Sequence, residues 1–123
     1  MAAIKSFRDL KVWEAAISLA EDVYNVSSVF PKSETYGLTQ QLRRAAVSMP
    51  SNIAEGHART SSKEFLYFIS IAFGSLAEVE TQLILAMRLG HLTQEKQDLL
   101  LASCGDVGRM LRGLQNAISR KLT

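Results

Sequence analysis

Apolar side chains recur along this chain at spacings of three and four, the period of a helix that buries one face. The first such stretch runs from about Asp9 to Val29, where Leu10, Trp13, Ile17, Ala20 and Tyr24 fall on one stripe. Phe30-Pro31 ends it, because a residue before proline is steered away from the α region. Ser33 is placed to cap the next helix, with Glu34 in its positively polarised first turn. That helix is predicted over 34–58, with the stripe Leu38, Leu42, Ala45, Met49, Ile53 and Gly56. Pro50 lies inside the pattern, where it removes a backbone donor and crowds the carbonyl of Ala46. The stripe keeps its phase on both sides, which predicts a kink at Pro50 and not an end.

Arg59-Thr60-Ser61-Ser62 reads as a turn, and Ser61 with Glu64 three residues later is a capping-box pattern. The third helix is predicted over 62–89. Phe65, Ile69, Ala72, Leu76, Val79, Leu83 and Ala86 form one stripe, and Leu66, Phe73, Ile84 and Met87 a second. Gly90 is a natural stop. Thr93 then caps a fourth helix over 94–121, whose stripe is Leu100, Cys104, Val107, Leu111, Leu114 and Ile118. Gly105, Gly108 and Gly113 weaken that helix by roughly 1 kcal/mol each relative to alanine and admit close packing. Four helices with short connections predict an all-α, antiparallel, up-down-up-down four-helix bundle, a single domain over 1–123. The second stripe of the third helix exceeds what one bundle seam requires, so self-association is expected.

Composition sharpens the picture in a few places. The chain has 123 residues, 47% of them hydrophobic, enough for one packed core. Its single cysteine, Cys104, rules out an internal disulfide and suits a reducing cytoplasm, where the protein is expected to reside. No secretory signal is read at the N-terminus, and polar residues (Ser70, Glu78, Glu80 and Gln82) interrupt the apolar stretch 65–89, so no membrane span is expected. The net charge is only +2, yet it is unevenly placed. From Val107 onward there are Arg109, Arg112, Arg120 and Lys121 and no acid, whereas 64–87 holds three acids and no base.

Catalytic chemistry finds little support. His57 and His91 sit at predicted helix ends, far apart, and read as surface histidines. No Glu-x-x-His pair exists, so neither a metal nor a cofactor is expected. Cys104 lies on an apolar stripe without a histidine at helical spacing and reads as an inert buried thiol. There is no phosphate-binding glycine loop. The segment 41–56, QLRRAAVSMPSNIAEG, gathers Ser48, Ser51, Asn52 and Glu55 around Pro50. These side chains either form a polar site or, the preferred reading, satisfy backbone groups released by Pro50 and pair across helices. Two basic groups remain as candidate phosphate contacts: Arg43, Arg44, Arg59 and Lys63 around the second helix, and Arg109, Arg112, Arg120 and Lys121 on the fourth. The alternative is a solvated face whose arginines pair with Glu55, Glu78 or Glu80.

Three segments carry a family resemblance: FRDLKVWEAAISLAEDVY, FPKSETYGLTQQLRRAAVSMPSNIAEG and EFLYFISIAFGSLAEVETQL. Together they resemble, from Phe7 to about Leu114, the bacterial four-helix bundle family also called the 23S ribosomal RNA intervening-sequence, or S23, family. Asn52, Glu55 and Gly56 match its Asn-Ile-Ala-Glu-Gly signature, which here follows Pro50. Arg43 and Arg44 match its paired arginines, and Gly74 and Ser75 its Gly-Ser step. The resemblance implies a ring-shaped homopentamer without enzymatic activity. A related branch, the accessory protein of diversity-generating retroelements, binds nucleic acid and a reverse transcriptase through a basic surface. RNA or another nucleic acid, and a partner enzyme, are therefore the expected partners, and a protein-interaction scaffold is the alternative role.

Overall fold

Three of the four helices begin where a side chain takes up an N–H group left free in the first turn, and the first helix begins after Leu10 without one. They carry the fold in the computed structural model, which describes residues 4–122: α1 Lys11–Ser27, α2 Leu38–His57, α3 Ser62–Arg88 and α4 Gln94–Arg120. No strand occurs among the described residues. Ser61 Oγ accepts from the Glu64 amide at 3.2 Å and opens α3, and Thr93 Oγ1 accepts from the Lys96 amide at 3.2 Å and opens α4. Before α1, a single 3-10 turn at Phe7–Asp9 is closed by Asp9 Oδ2, which accepts from the amides of Lys5 (2.9 Å) and Ser6 (3.2 Å). Those two amides hold the Asp9 carboxyl below the ordinary carboxylate range.

The start of α2 differs from the sequence expectation. Ser33 is not its cap, because a 3-10 turn at Lys32–Glu34 intervenes and the helix starts only at Leu38. Glu34 serves instead, its Oε1 accepting from the Leu38 amide at 3.3 Å. The helix then runs through Pro50 without interruption. Gly90 ends α3 with φ of +82°. The His91 amide donates to the Ala86 carbonyl and the Gly90 amide to that of Met87, the paired bonds of a Schellman motif.

Each helix packs on two neighbours: α1 and α3 both pack on α2 and α4. Contacts along each seam run in opposite order. Ser48 of α2 bonds Ser75 of α3, while Gly56 lies against Phe65 and Phe68. Arg43 of α2 bonds Ser27 at the end of α1, and α4 meets α1 at Leu99 beside Asn25 and at Ile118 beside Leu10. Neighbours are thus antiparallel. One end of the bundle, hereafter proximal, collects the starts of α1 and α3 and the finishes of α2 and α4. The distal end collects the rest.

The core includes Leu19, Val23, Leu42, Met49, Ile53, Ile69, Val79, Leu83, Val107 and Leu111. The stripes expected on α2, α3 and α4 face it. That of α1 does so only in part: Ala20 is buried and Leu10 and Trp13 pack against the core, but Ile17 is half-buried and Tyr24 exposed, and the buried residues are Val12, Ala16, Leu19, Ala20, Val23 and Ser27. The helix is turned by about one residue from the expected phase. The second stripe of α3 is also partly consumed within the chain, since Leu66, Phe73 and Met87 are half-buried against the core and Ile84 is exposed. By length and composition alone α3 is apolar enough to cross a membrane, which the sequence reading did not expect. A third of that apolar window is buried, as the stripe facing α2 and α4.

Candidate nucleic-acid interface

Two of the four polar residues around Pro50, Ser48 and Asn52, form a tie to α3, whereas Ser51 is exposed and Glu55 pairs with Arg59. Asn52 Nδ2 donates to the Ser48 carbonyl oxygen (2.8 Å) and to Ser48 Oγ (2.9 Å), and Ser75 Oγ donates across the seam to Ser48 Oγ at 2.8 Å. Ser75 of the Gly-Ser step is buried, so its hydroxyl needs that partner. Gly56 explains its own presence. A Cβ there would stand 2.8 Å from Phe68 Cβ and 2.9 Å from Phe65 Cδ1, so only glycine lets α2 approach α3 this closely. At Gly74 a Cβ would meet nothing within 4 Å, and the structure supplies no packing reason for that glycine. On α4, Gly108 faces Leu76 of α3, whereas Gly113 meets nothing.

The eight candidate basic residues are sorted by the fold in a way their sequence grouping does not show. Arg43 points inward. Its Nε donates to Ser27 Oγ (2.8 Å), its Nη2 to the Tyr24 carbonyl (3.2 Å), and its guanidinium lies 4.6 Å from the centre of the Tyr24 ring. It therefore caps the last turn of α1. Arg44 lines a cleft of about 270 Å³ between α2 and α3 with Gln41, Ser48, Ser75, Glu78 and Gln82, where Gln82 Oε1 is buried without a hydrogen-bond partner. Arg109 pairs with Asp106, and Arg112 bonds Gln115 and covers the Phe73 ring at 4.6 Å.

The other four share the proximal end. Arg59 pairs with Glu55 at 2.9 Å and lies 4.9 Å over the Phe68 ring. Lys63 stands in the first turn of α3, Arg120 donates to the Asn116 carbonyl, and Lys121 borders a cleft with Ile4, Leu10, His57 and Leu114. About 24 Å of helix separates Arg43 from Arg59, so the expected group around α2 is two separate places. Lys5, Arg8 and Lys11, which sequence reasoning passed over, join the proximal group through the antiparallel topology. Residues 4–14, 55–68 and 116–122 together hold seven basic and four acidic side chains. The distal segments 21–36 and 85–98 hold three basic and five acidic. The distal end also exposes Val29, Tyr36, Leu85, Leu89 and Leu99, of which Tyr36 is 89% exposed.

Neither histidine is the surface residue expected. His57 is half-buried edge-on to Phe65, and His91 bonds Glu34 at 3.0 Å beside the Phe30 ring. Each closes one end of the bundle, far from the other. Burial pushes the Cys104 thiol up to about 12, so it carries little thiolate near neutrality. No group of three or more His, Cys, Asp or Glu side chains converges among the described residues.

No curated protein matches the chain. Among solved structures, a protein of unknown function from the S23 ribosomal protein family of Bacteroides thetaiotaomicron has the same fold. Its TM-score is 0.76 at 20% sequence identity, over 85% of this chain and 97% of that one. The model of the 23S rRNA-intervening sequence proteins matches residues 8–113, which contain all of α1, α2 and α3 and most of α4. The chain belongs to the 23S rRNA-intervening sequence protein family.

Proposed function

We propose that this protein is a non-enzymatic, cytoplasmic, oligomeric binding protein that holds RNA or another nucleic acid against its proximal end. The observation that carries the reading is the segregation of charge along the bundle: seven basic side chains against four acidic at one end, three against five at the other. A net charge of +2 is too small to attract a polyanion from all sides, but a cationic end presents a local field to phosphates. Assembly multiplies that end. Exposed Leu85, Leu89 and Leu99 at the distal end offer apolar area for a second copy without covering the basic end. In a ring of subunits, the pentamer that the family resemblance implies, several weak patches act together and avidity offsets the modest charge of each.

Titration of a labelled structured RNA at about 50 and 200 mM salt tests the reading. Binding is expected to weaken steeply with salt, and the double variant Lys63→Glu/Lys121→Glu to abolish it while Arg43→Ala leaves it intact. Absence of binding at the lower salt refutes it. Light scattering is expected to give a multiple of 13.6 kDa, five-fold for a pentamer. A second reading, an adaptor for a partner enzyme with no nucleic-acid binding of its own, draws on the same distal apolar residues. Co-purification of an enzyme together with silence in the RNA titration would select it.

A further inference from the structure

We infer that the proximal end takes single-stranded nucleic acid, with Tyr67 as the platform on which one of its bases stacks. The inference rests on the reading of that end as a nucleic-acid site and adds the class of strand. Tyr67 is 62% exposed on the outer face of α3, opposite the core stripe. It lies one helical turn after Lys63, on the same face. Its ring meets Phe68 edge-on, with centres 5.3 Å apart, and the Phe68 ring is covered in turn by the Arg59 guanidinium at 4.9 Å. Arg59 is held by Glu55 at 2.9 Å. Contacts thus brace the tyrosine on its Phe68 side, with Arg59 beyond that ring and Lys63, next to Glu64, one turn before it, and most of the ring surface is open to solvent.

This juxtaposition discriminates between strands. A duplex keeps base faces inside its stack and shows phosphates on its exterior, where an aromatic ring has nothing to bind. A single strand presents both phosphates and unstacked bases, and every base has a π-face, so stacking needs no particular sequence. Lys63 and Arg59 lie close enough to Tyr67 to hold phosphates flanking a stacked base. The Glu55 pair does not prevent this: both its members are about half exposed, so the pair is screened and worth little, and a phosphate can take the guanidinium fork instead.

Fluorescence anisotropy with a labelled 12-nucleotide oligouridylate, an oligothymidylate and an RNA duplex of equal length, at low and moderate salt, tests the inference. The native protein is expected to bind either single strand at least tenfold more tightly than the duplex. Tyr67→Ala should lose roughly tenfold on single strands and nothing on the duplex, as should Tyr67→Leu, which keeps the bulk but lacks the ring. Tyr67→Phe should bind as the native protein does. Equal affinity for both strand types, with Tyr67→Ala silent, overturns the stacking role while salt-sensitive duplex binding still upholds the basic end. No binding to any probe overturns both. A drop in mass for Tyr67→Ala by light scattering makes the residue part of a subunit contact and overturns the inference as well.

Discussion

Replacing Gly56 by alanine places a methyl group 2.8 Å from Phe68 Cβ and 2.9 Å from Phe65 Cδ1. Phe68 Cβ is one bond from the α3 backbone and cannot swing aside. The seam between α2 and α3 must open by several tenths of an ångström or the Phe65 ring must leave its rotamer. Overpacking of this kind costs about 1–3 kcal/mol. The alanine recovers part of that through helix propensity, at most about 1 kcal/mol, and less in the last turn of α2 where Gly56 sits. The net expectation is a loss of about 1–2 kcal/mol, or a melting temperature lower by roughly 4–8 °C for a domain of this size. Gly74→Ala is the matched control, since it adds a methyl group in mid-helix where nothing lies within 4 Å. It should gain about 0.5–1 kcal/mol from propensity alone. Urea unfolding followed by helical circular dichroism, at one fixed protein concentration, reads both. A Gly56→Ala variant as stable as the native chain would refute the close-approach argument. A destabilised Gly74→Ala would show that the outer face of α3 is covered by another chain in solution.

The hydroxyl tie across the α2–α3 seam should behave as a unit. Ser48→Ala leaves the buried Ser75 hydroxyl without its partner and is expected to cost about 1–3 kcal/mol, whereas adding Ser75→Ala should cost little more; additive losses in the double-mutant cycle would disprove the coupling. Arg43→Ala removes the guanidinium that caps α1 and is expected to lower stability by about 1–2 kcal/mol with RNA affinity unchanged, so an affinity loss in a folded variant would return Arg43 to the binding surface. Cys104 should resist a thiol reagent at pH 8 until the chain is unfolded. Because its folded value, about 12, lies above the ordinary 9.0, the unfolded chain loses this proton first as pH rises. The stability it contributes is therefore complete below pH 9 and lost between 9 and 12, and native protein compared with Cys104→Ala over that window should show the decline.

Three helices could be read from the sequence because large apolar residues dominate one arc of each: Leu42, Met49 and Ile53 on α2, Ile69, Val79 and Leu83 on α3, Val107 and Leu111 on α4. In α1 two arcs compete. Trp13, Ile17 and Tyr24 outweigh Ala16 and Ser27 by side-chain size, yet the smaller residues face inward. The reason lies on another helix: Arg43 holds the Tyr24 carbonyl and Ser27 hydroxyl at the seam and covers the Tyr24 ring from outside. A tertiary contact of that kind leaves no periodic trace in α1 itself. The Ser61 and Thr93 caps were legible because each is local, while Glu34 capping Leu38 depends on a 3-10 turn that hydrophobic spacing does not encode. The basic residues were found one by one but grouped by helix. Antiparallel packing groups them by end, and that topology, already inferable from short connections, also brings in Lys5, Arg8 and Lys11. Tyr67 is not legible in the sequence, because a single aromatic off the main stripe carries no signal without its exposure and its Arg59–Phe68 neighbours.

The uneven charge of the two ends has a kinetic side as well. A body about 40 Å long, set by the 27 residues of α3, with its positive end at one pole and its negative end at the other, experiences a torque in the field of a polyanion. It turns before it touches, so that collisions which would otherwise arrive at random angles arrive pole-first. The rate of productive encounter then depends on ionic strength more steeply than a net charge of +2 implies. Exchanging one cation and one anion between the ends would leave the isoelectric point where it is and slow the approach all the same.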